Sequence, residues 1–217
     1  MKTGITEIVY ILDRSGSMSG LEKDTIGGFN SMIQRQKEIE GQVFITTVLF
    51  DDEVELLHNR IPLQEILPLT EKEYFVRGAT ALLDALGRTI TRMIQQTRVT
   101  PANERADKVL FIITTDGYEN ASREYSYKKI RNLIDFEKEK YGWEFLFMGA
   151  NMDAVGEAAK FGISANRAAE FSSDSKGVEL NYAVMSNLVT EYRTKNRIDE
   201  DWKTPIEEDQ RKRGKRR

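Results

Sequence analysis

The sequence predicts a doubly wound α/β fold: a mainly parallel central sheet with one antiparallel edge strand and helices on both faces. Short, continuously apolar runs at 8–12 and 109–113 are typical of strands that are buried on both faces, and 143–148 reads as a further strand. Stretches with helical periodicity separate these runs, and this alternation favours right-handed crossovers between parallel strands. The chain has no internal repeat and no long low-complexity linker, so we expect a single domain over residues 1–197.

The first half of the chain predicts three strands and two helices. Residues 53–56 alternate polar and apolar side chains after a turn at Asp51-Asp52, which is typical of a half-exposed antiparallel edge strand. Pro62 and Pro68 mark the following residues as a loop. In order, we expect a strand at 8–12, a helix at 19–40, a strand at 43–50, the edge strand at 53–56, a loop at 59–79 and a helix from residue 81.

The second half continues the alternation of strands and helices. In order, we expect a strand at 109–113, a helix at 122–141, a strand at 143–148, a short helix at 152–160, a weak strand at 168–172 and a final helix at 176–195. Within the first helix, Gly27-Gly28 lowers helix stability, which predicts either close packing or a kink at that point.

The charge of the chain is unevenly distributed. The 217 residues carry a formal net charge of −3, but six of the 32 basic residues lie in the last seven positions. The remainder has 26 basic and 35 acidic residues, a net charge of −9, which does not suit a general nucleic-acid binder. We expect residues 198–217 to form a charged, flexible tail, with a nucleic-acid or membrane contact as the alternative.

The composition excludes several kinds of site. The absence of cysteine excludes disulfide frameworks, thiol nucleophiles and thiolate zinc sites, and a single histidine, His58, excludes imidazole-rich metal sites. We expect His58 to be an ordinary surface or edge residue. Because no apolar run approaches the roughly 18 residues of a membrane span, we expect a cytoplasmic protein that makes no membrane contact and starts near Met1.

Three polar clusters lie where predicted strands end or the next helix opens. They are Asp13-Arg14-Ser15-Gly16-Ser17, Thr114-Thr115-Asp116-Gly117 and Arg77-Gly78-Ala79-Thr80. In an open α/β sheet, ligands bind outside the carboxyl ends of the strands, where the winding direction switches. If the strands at 8–12 and 109–113 are neighbours at that switch, two carboxylates and three hydroxyls converge there.

Such a set of oxygen ligands suits a hard divalent cation, above all Mg²⁺. The alternating spacing of residues 13, 15 and 17 lets a turning backbone direct all three side chains inward, and Gly16 relieves crowding. Because most of these ligands are neutral hydroxyls, a bound cation keeps much of its charge, and an open coordination position would attract an acidic group of a partner.

The residues of this constellation resemble a motif of the von Willebrand factor type A (VWA) family, which includes the integrin I-domains. The metal-ion-dependent adhesion site (MIDAS) of that family reads Asp-x-Ser-x-Ser, then a Thr, then an Asp. These positions match Asp13, Ser15, Ser17, Thr80 and Asp116, in that order. The resemblance covers residues 6 to about 195, and the stretch 78–85 is similar to intracellular prokaryotic members.

The resemblance implies a metal-dependent protein-binding module that is not an enzyme. It implies that Ser15 and Ser17 bind Mg²⁺ directly, with Mn²⁺ or Ca²⁺ also possible, and that Thr80 binds directly or through water. Asp13 and Asp116 would act largely through water. A protein partner would supply an Asp or Glu carboxylate at the open position, and an ATP-driven ring assembly is one candidate partner.

Two other functions stay open at this point. Aspartate clusters at strand ends also serve Mg²⁺-dependent phosphoryl-transfer and hydrolytic enzymes. Ser15, however, stands where one such pattern carries a second aspartate, and the chain has no Gly-x-Ser-x-Gly nucleophile elbow. The remaining alternative is a structural subunit with an idle metal site.

Two charged residues near the motif also allow two interpretations each. Arg14 is expected to be exposed, either as an ordinary solvated side chain or as a group that neutralises an acidic partner. Asp84 shares a helix face with Thr80, four residues before it. It either orients a metal ligand or its water through a hydrogen bond, or is a solvated or N-terminal helix charge favoured by the helix dipole.

Overall fold

The computed structural model describes residues 4–214 and contains one six-stranded sheet with helices on both faces. The strands are β1 (Thr6–Asp13), β2 (Val43–Phe50), β3 (Val54–Pro62), β4 (Lys108–Thr115), β5 (Glu144–Ala150) and β6 (Ala168–Phe171). The helices are α1 (Glu22–Lys37), α2 (Leu82–Val99), α3 (Tyr127–Tyr141), α4 (Ala154–Lys160), α5 (Ser175–Lys195) and α6 (Thr204–Gly214).

The sheet has the strand order β3-β2-β1-β4-β5-β6. Neighbouring strands are parallel except β3, which runs antiparallel to β2 at one edge. The doubly wound fold predicted from the sequence is therefore confirmed, including its antiparallel edge strand.

Successive side chains of β1 point to opposite faces of the sheet and pack into two separate hydrophobic cores. Ile8, Tyr10 and Leu12 pack on the face that α1, α5 and α6 cover, whereas Val9 and Ile11 pack on the face of α2, α3 and α4. All five are at most 1% exposed. Because both faces of the strand are covered, its sequence is continuously apolar instead of alternating.

The edge strand is longer than the sequence predicts. It pairs with β2 as far as Pro62 and so extends beyond the predicted strand at 53–56 into the predicted loop at 59–79. The register shifts between Ile45 and Thr47 of β2, and Arg60 on the opposite strand adopts a positive φ of 52°. A second register shift, between Thr47 and Val48, lies opposite Leu57, which is where the polar–apolar alternation of the sequence ends.

Glycine allows α1 to approach α5 closely. A Cβ built on Gly28 would lie 2.3 Å from the ring of Tyr182, whereas one built on Gly27 would have nothing within 4 Å. Close packing is therefore the role of Gly28.

The C-terminal segment corrects the expectation of a flexible tail over 198–217. Residues 204–214 form α6, and Trp202 and Ile206 are buried in the same core as α1 and α5. The indole Nε1 of Trp202 donates a hydrogen bond to the carbonyl of Asn166 at 2.8 Å. The expectation was wrong because two apolar anchors at helical spacing stand among many charges. Residues 215–217 lie outside the described part of the chain.

Over residues 4–214, no helix is both long enough and apolar enough to cross a membrane.

Candidate metal centre

The candidate centre lies at the switch point of the sheet. β1 and β4 are adjacent and parallel, with Leu12 opposite Thr114, and the chain winds away from them in opposite directions. Asp13 ends β1, and Asp116 directly follows the end of β4. The two carboxylates therefore emerge from neighbouring strands at one edge of the sheet, as the sequence predicts.

Hydrogen bonds hold Asp13 in place from three sides. Its Oδ1 accepts from the backbone N–H of Ser15 at 2.7 Å, and its Oδ2 accepts from the hydroxyl of Thr115 at 2.6 Å. The hydroxyl of Tyr74 donates to the carbonyl oxygen of Asp13 at 2.5 Å. With 1% exposure, Asp13 is a rigid, buried member of the site.

The two serines connect the β1 loop to Asp116. The hydroxyl oxygens of Ser15 and Ser17 are 3.1 Å apart, and the Ser17 hydroxyl donates to Oδ1 of Asp116. The short 3-10 turn at Gly16–Met18 produces this arrangement, because it turns the chain directly after Ser15.

Thr80 reaches the same place on a separate segment. The segment is held against the β1 loop by backbone bonds from Gly16 N to Gly78 O, 3.1 Å, and from Arg77 N to Arg14 O, 3.0 Å. A Cβ built on Gly117 would lie 3.1 Å from the Thr80 hydroxyl oxygen and 3.4 Å from that of Ser17. The structure thus brings together all five predicted site residues.

The electrostatics of the centre fit a cation. Burial, with a smaller contribution from the nearby Asp116, raises the pKa of Asp13 to about 6, and burial also raises the pKa of Asp116. Among residues 4–214, Oδ2 of Asp116 is buried and has no hydrogen-bond partner. An unpaired buried carboxylate oxygen is costly, and a hard divalent cation among oxygen donors would satisfy it.

The hydroxyls are essential to this fit. Within residues 4–214, no group of three or more His, Cys, Asp or Glu side chains is arranged to hold a metal ion. The candidate centre has two carboxylates, so a cation there depends on Ser15, Ser17 and Thr80 for its remaining protein oxygens.

The loop between β4 and α3 holds the start of α2 next to the site. The carboxylate of Glu119 accepts a hydrogen bond from the backbone N–H of Leu83 at 2.8 Å. The hydroxyl oxygen of Ser122 accepts one from the backbone N–H of Asp84 at 3.0 Å. Asn120 accepts from the N–H of Thr80 at 2.9 Å. These side chains cap a helix whose own preceding residue, Ala81, provides no side-chain cap.

Asp84 lies in the first turn of α2, as one of the two interpretations expects, but it is buried and not solvated. Its carboxylate is buried and accepts from the backbone N–H groups of Arg123, Glu124 and Tyr125, each at 2.9 Å. Burial alone would raise the pKa of Asp84, but these three donors hold it below its usual value. Asp84 therefore fixes the β4–α3 loop to α2.

Arg14 also contradicts the expectation that it is exposed. It is 0% exposed, and its guanidinium donates to Asp51 and Glu55, both at 2.7 Å. The two acceptors come from the β2–β3 turn and the start of β3, which a local view of the sequence does not place beside residue 14. Its charge therefore anchors the β1 loop and is not available to a partner.

His58 lies in the edge strand, opposite Thr47 of β2. Thr47 is three residues before the end of β2 at Phe50, which itself pairs with Asp13. His58 is therefore an edge-strand residue set back from the candidate centre, in agreement with the sequence-based expectation.

Three contributors were not identified from the sequence. Thr115 and Tyr74 hold Asp13, and Gly117 leaves space beside Thr80. The Thr-Thr-Asp-Gly run carried a signal for Thr115 and Gly117, because a hydroxyl and a glycine flank the aspartate at a strand end. Tyr74 carried no such signal, since its position depends on the path of the loop.

Known structures share this architecture. The vWF domain of a type V pili tip protein from Porphyromonas gingivalis matches with a TM-score of 0.60 at 13% identity, over 86% of this chain and 95% of that one. A von Willebrand factor type A structure from Catenulispora acidiphila matches with a TM-score of 0.58 at 15% identity, over 87% of this chain and 43% of that one. The chain has the von Willebrand factor type A fold.

A third VWA match is proximal thread matrix protein 1 from the mussel byssus. It matches with a TM-score of 0.58 at 14% identity, over 87% of this chain and 46% of that one, and its MIDAS motif is occupied by zinc. The present chain thus spans less than half the length of this mussel protein. No protein-family model and no curated protein matches the sequence, so the VWA assignment rests on shape.

Proposed function

We propose that this chain is a metal-dependent protein-binding module of the cytoplasm, of the intracellular prokaryotic type, in which Mg²⁺ is the physiological cation. The observation that carries the proposal is the buried, unpartnered Oδ2 of Asp116 among the hydroxyls of Ser15, Ser17 and Thr80. The VWA fold supports it, as does the zinc-occupied MIDAS motif of the mussel protein.

The residues of the centre have distinct roles in this proposal. Ser15, Ser17 and Thr80 would hold the cation with neutral oxygens, while Asp13 and Asp116 would supply the compensating charge. A bound divalent cation would supply an open coordination position for an Asp or Glu carboxylate of the partner. A subunit of an ATP-driven ring assembly is one class of protein that could provide this carboxylate.

Binding accounts for the site better than catalysis does. A general base has to lie within hydrogen-bond reach of the proton that it removes. The single imidazole, His58, lies on the edge strand, set back from the centre, and Asp116, the carboxylate that does contact the Ser17 hydroxyl, would face the bound cation.

Isothermal titration with MgCl2 and MnCl2 tests the proposal. We expect the wild-type protein to bind one ion and the Asp13→Ala and Ser15→Ala variants to lose that binding. Ser19→Ala is a matched control, because Ser19 is an exposed serine of the same loop and should leave the titration unchanged.

Two results would contradict this function. Absence of metal binding by the wild-type protein would exclude the proposed mechanism and leave a structural subunit. Metal-dependent turnover of p-nitrophenyl phosphate that Asp13→Ala abolishes would favour an enzyme instead.

A further inference from the structure

The edge of the sheet at the carboxyl ends of its parallel strands, which carries the candidate centre, has more acidic than basic residues. Its connecting segments contain nine carboxylates but only three guanidiniums; these segments are 13–21, 51–53, 74–81, 116–126, 151–153 and 172–174. Arg88 and Arg213 reach this edge from helices and pair with Glu124 and Asp174. Even with these two arginines and a bound divalent cation, negative charge remains in excess.

Most positive charge at this edge is already engaged. Arg14 is fully buried against Asp51 and Glu55. Arg77, whose side chain is 42% exposed, contacts Asp51 at 2.9 Å and Glu53 at 2.7 Å. The charges of these two arginines are therefore balanced locally by Asp51, Glu53 and Glu55, and they add little attraction for an acidic surface.

Two aromatic side chains add apolar surface beside the centre. Phe75 is 41% exposed, and the guanidiniums of Arg14 and Arg77 lie 5.1 and 5.4 Å from its ring centroid. Tyr118, two residues after Asp116, is 49% exposed, and its hydroxyl accepts from the N–H of Asp153. Exposed aromatic faces can contact both apolar side chains and the cationic heads of Lys or Arg.

We infer that the partner presents a single carboxylate on an otherwise basic protein surface. This inference rests on the proposed function, since the carboxylate would reach the metal centre. Basic residues around it complement the exposed Asp52 and the exposed Glu53, which also pairs with Arg77, and can stack on Tyr118. A cluster of acids would meet the exposed Arg123 but otherwise mostly like charge around the cation, and such net repulsion selects against wrong partners.

A matched peptide series tests this inference. The probe is a fluorescein-labelled cyclic peptide Gly-Lys-Leu-Asp-Leu-Lys, compared with a version in which Glu replaces both lysines and with versions in which Asn replaces the central Asp. Fluorescence anisotropy gives the affinities in excess Mg²⁺ and in EDTA, at about 20 and about 300 mM NaCl, where the screening length falls from about 20 to about 6 Å.

The lysine-flanked peptide should bind roughly tenfold more tightly than the glutamate-flanked one at low salt, and less than about threefold more tightly at high salt. Glu53→Lys reverses one rim charge without changing the five site residues, and should reduce the low-salt preference by about threefold. Glu139→Lys is the matched control, because Glu139 is exposed near the end of α3, at the opposite edge of the sheet.

The outcomes separate the inference from the proposed function. If the glutamate-flanked peptide binds in a Mg²⁺-dependent way as tightly as the lysine-flanked peptide, or more tightly, the inference is overturned and the proposed function stays intact. If no peptide binds in a Mg²⁺-dependent way, or if the Asn versions bind as well as the Asp versions, the proposed function fails and the inference fails with it.

Discussion

Gly117 shows how closely the backbone packs against the candidate centre. A Cβ at residue 117 would lie 3.1 Å from the Thr80 hydroxyl oxygen, which is closer than an ordinary van der Waals contact. We expect Gly117→Ala to displace Thr80 and to lower Mg²⁺ affinity by about tenfold, as changes beside metal ligands commonly do. Isothermal titration measures the effect.

The control for Gly117→Ala is the same substitution away from the site. Gly27→Ala adds a methyl group where nothing lies within 4 Å, so Mg²⁺ affinity should not change. Equal affinities of the two variants and the wild-type protein would show that the space beside Thr80 is not needed.

Asp84 stabilises the centre without being part of it. Asp84→Ala would leave three backbone N–H groups of residues 123–125 without their acceptor. We expect a loss of about 3 kcal/mol in the free energy of unfolding, because hydrogen bonds to a charged group contribute about 1.5–3 kcal/mol each and water can replace some of them. Urea denaturation followed by circular dichroism measures this loss.

The comparison for Asp84 is an exposed aspartate. Asp135→Ala removes a carboxylate whose side chain is 45% exposed and which pairs with Arg131, and should cost less than about 1 kcal/mol. A similarly small loss for Asp84→Ala would contradict its assigned role in holding the loop.

At the residue scale, the sequence predicts what depends on local spacing. Asp13, Ser15 and Ser17 belong to one turn, and Asp116 follows a strand whose apolar run is easily recognised. The burial of Arg14 could not be predicted in this way, because its acceptors arrive from the β2–β3 turn and β3. Long-range ion pairs leave no periodic pattern in a sequence.

At the scale of elements, adjacent glycines of α1 should respond in opposite ways. Gly27→Ala should stabilise the protein by about 0.5–1 kcal/mol, because alanine is the better helix former and the site is open. Gly28→Ala should destabilise it by about 1–3 kcal/mol, since its Cβ would meet the Tyr182 ring. Urea unfolding of both variants measures the difference, and equal effects would argue against close packing of α1 and α5.

The C-terminal helix makes a second test at this scale. Ile206 is 1% exposed, so Ile206→Ala should lower the free energy of unfolding by about 2–4 kcal/mol. The exposed neighbour change Glu208→Ala should alter it by less than about 0.5 kcal/mol. If thermal or urea unfolding does not distinguish the two variants, α6 does not contribute to the core.

Element types followed from the sequence more readily than element ends. Strands buried on both faces gave continuous apolar runs, and helices gave apolar stripes. The predicted end of β3 falls short because a register shift at Leu57 interrupts the alternation, while the strand itself continues to Pro62. α6 was not predicted, because Trp202 and Ile206 are too few among charged residues to form a visible stripe.

At the scale of the whole molecule, charge and topology act at the same edge of the sheet. The doubly wound order places Asp13, Asp116 and the loop with Thr80 together, and the same connecting segments carry most of the surrounding acidic residues. The sequence predicted that the body of the chain is acidic. It did not predict that acidic residues gather around the candidate centre, because only the fold shows which loops lie together. The acidic edge favours a cation, and the proposed partner combines one carboxylate with basic surroundings.

Anomalous diffraction from crystals grown with MnCl2 would locate a bound cation in the protein. We expect one strong anomalous peak among the side chains of Ser15, Ser17 and Thr80, near Asp13 and Asp116, and no such peak in crystals of Ser15→Ala. A well-ordered site without a peak, or a peak only elsewhere on the molecule, would contradict this expectation.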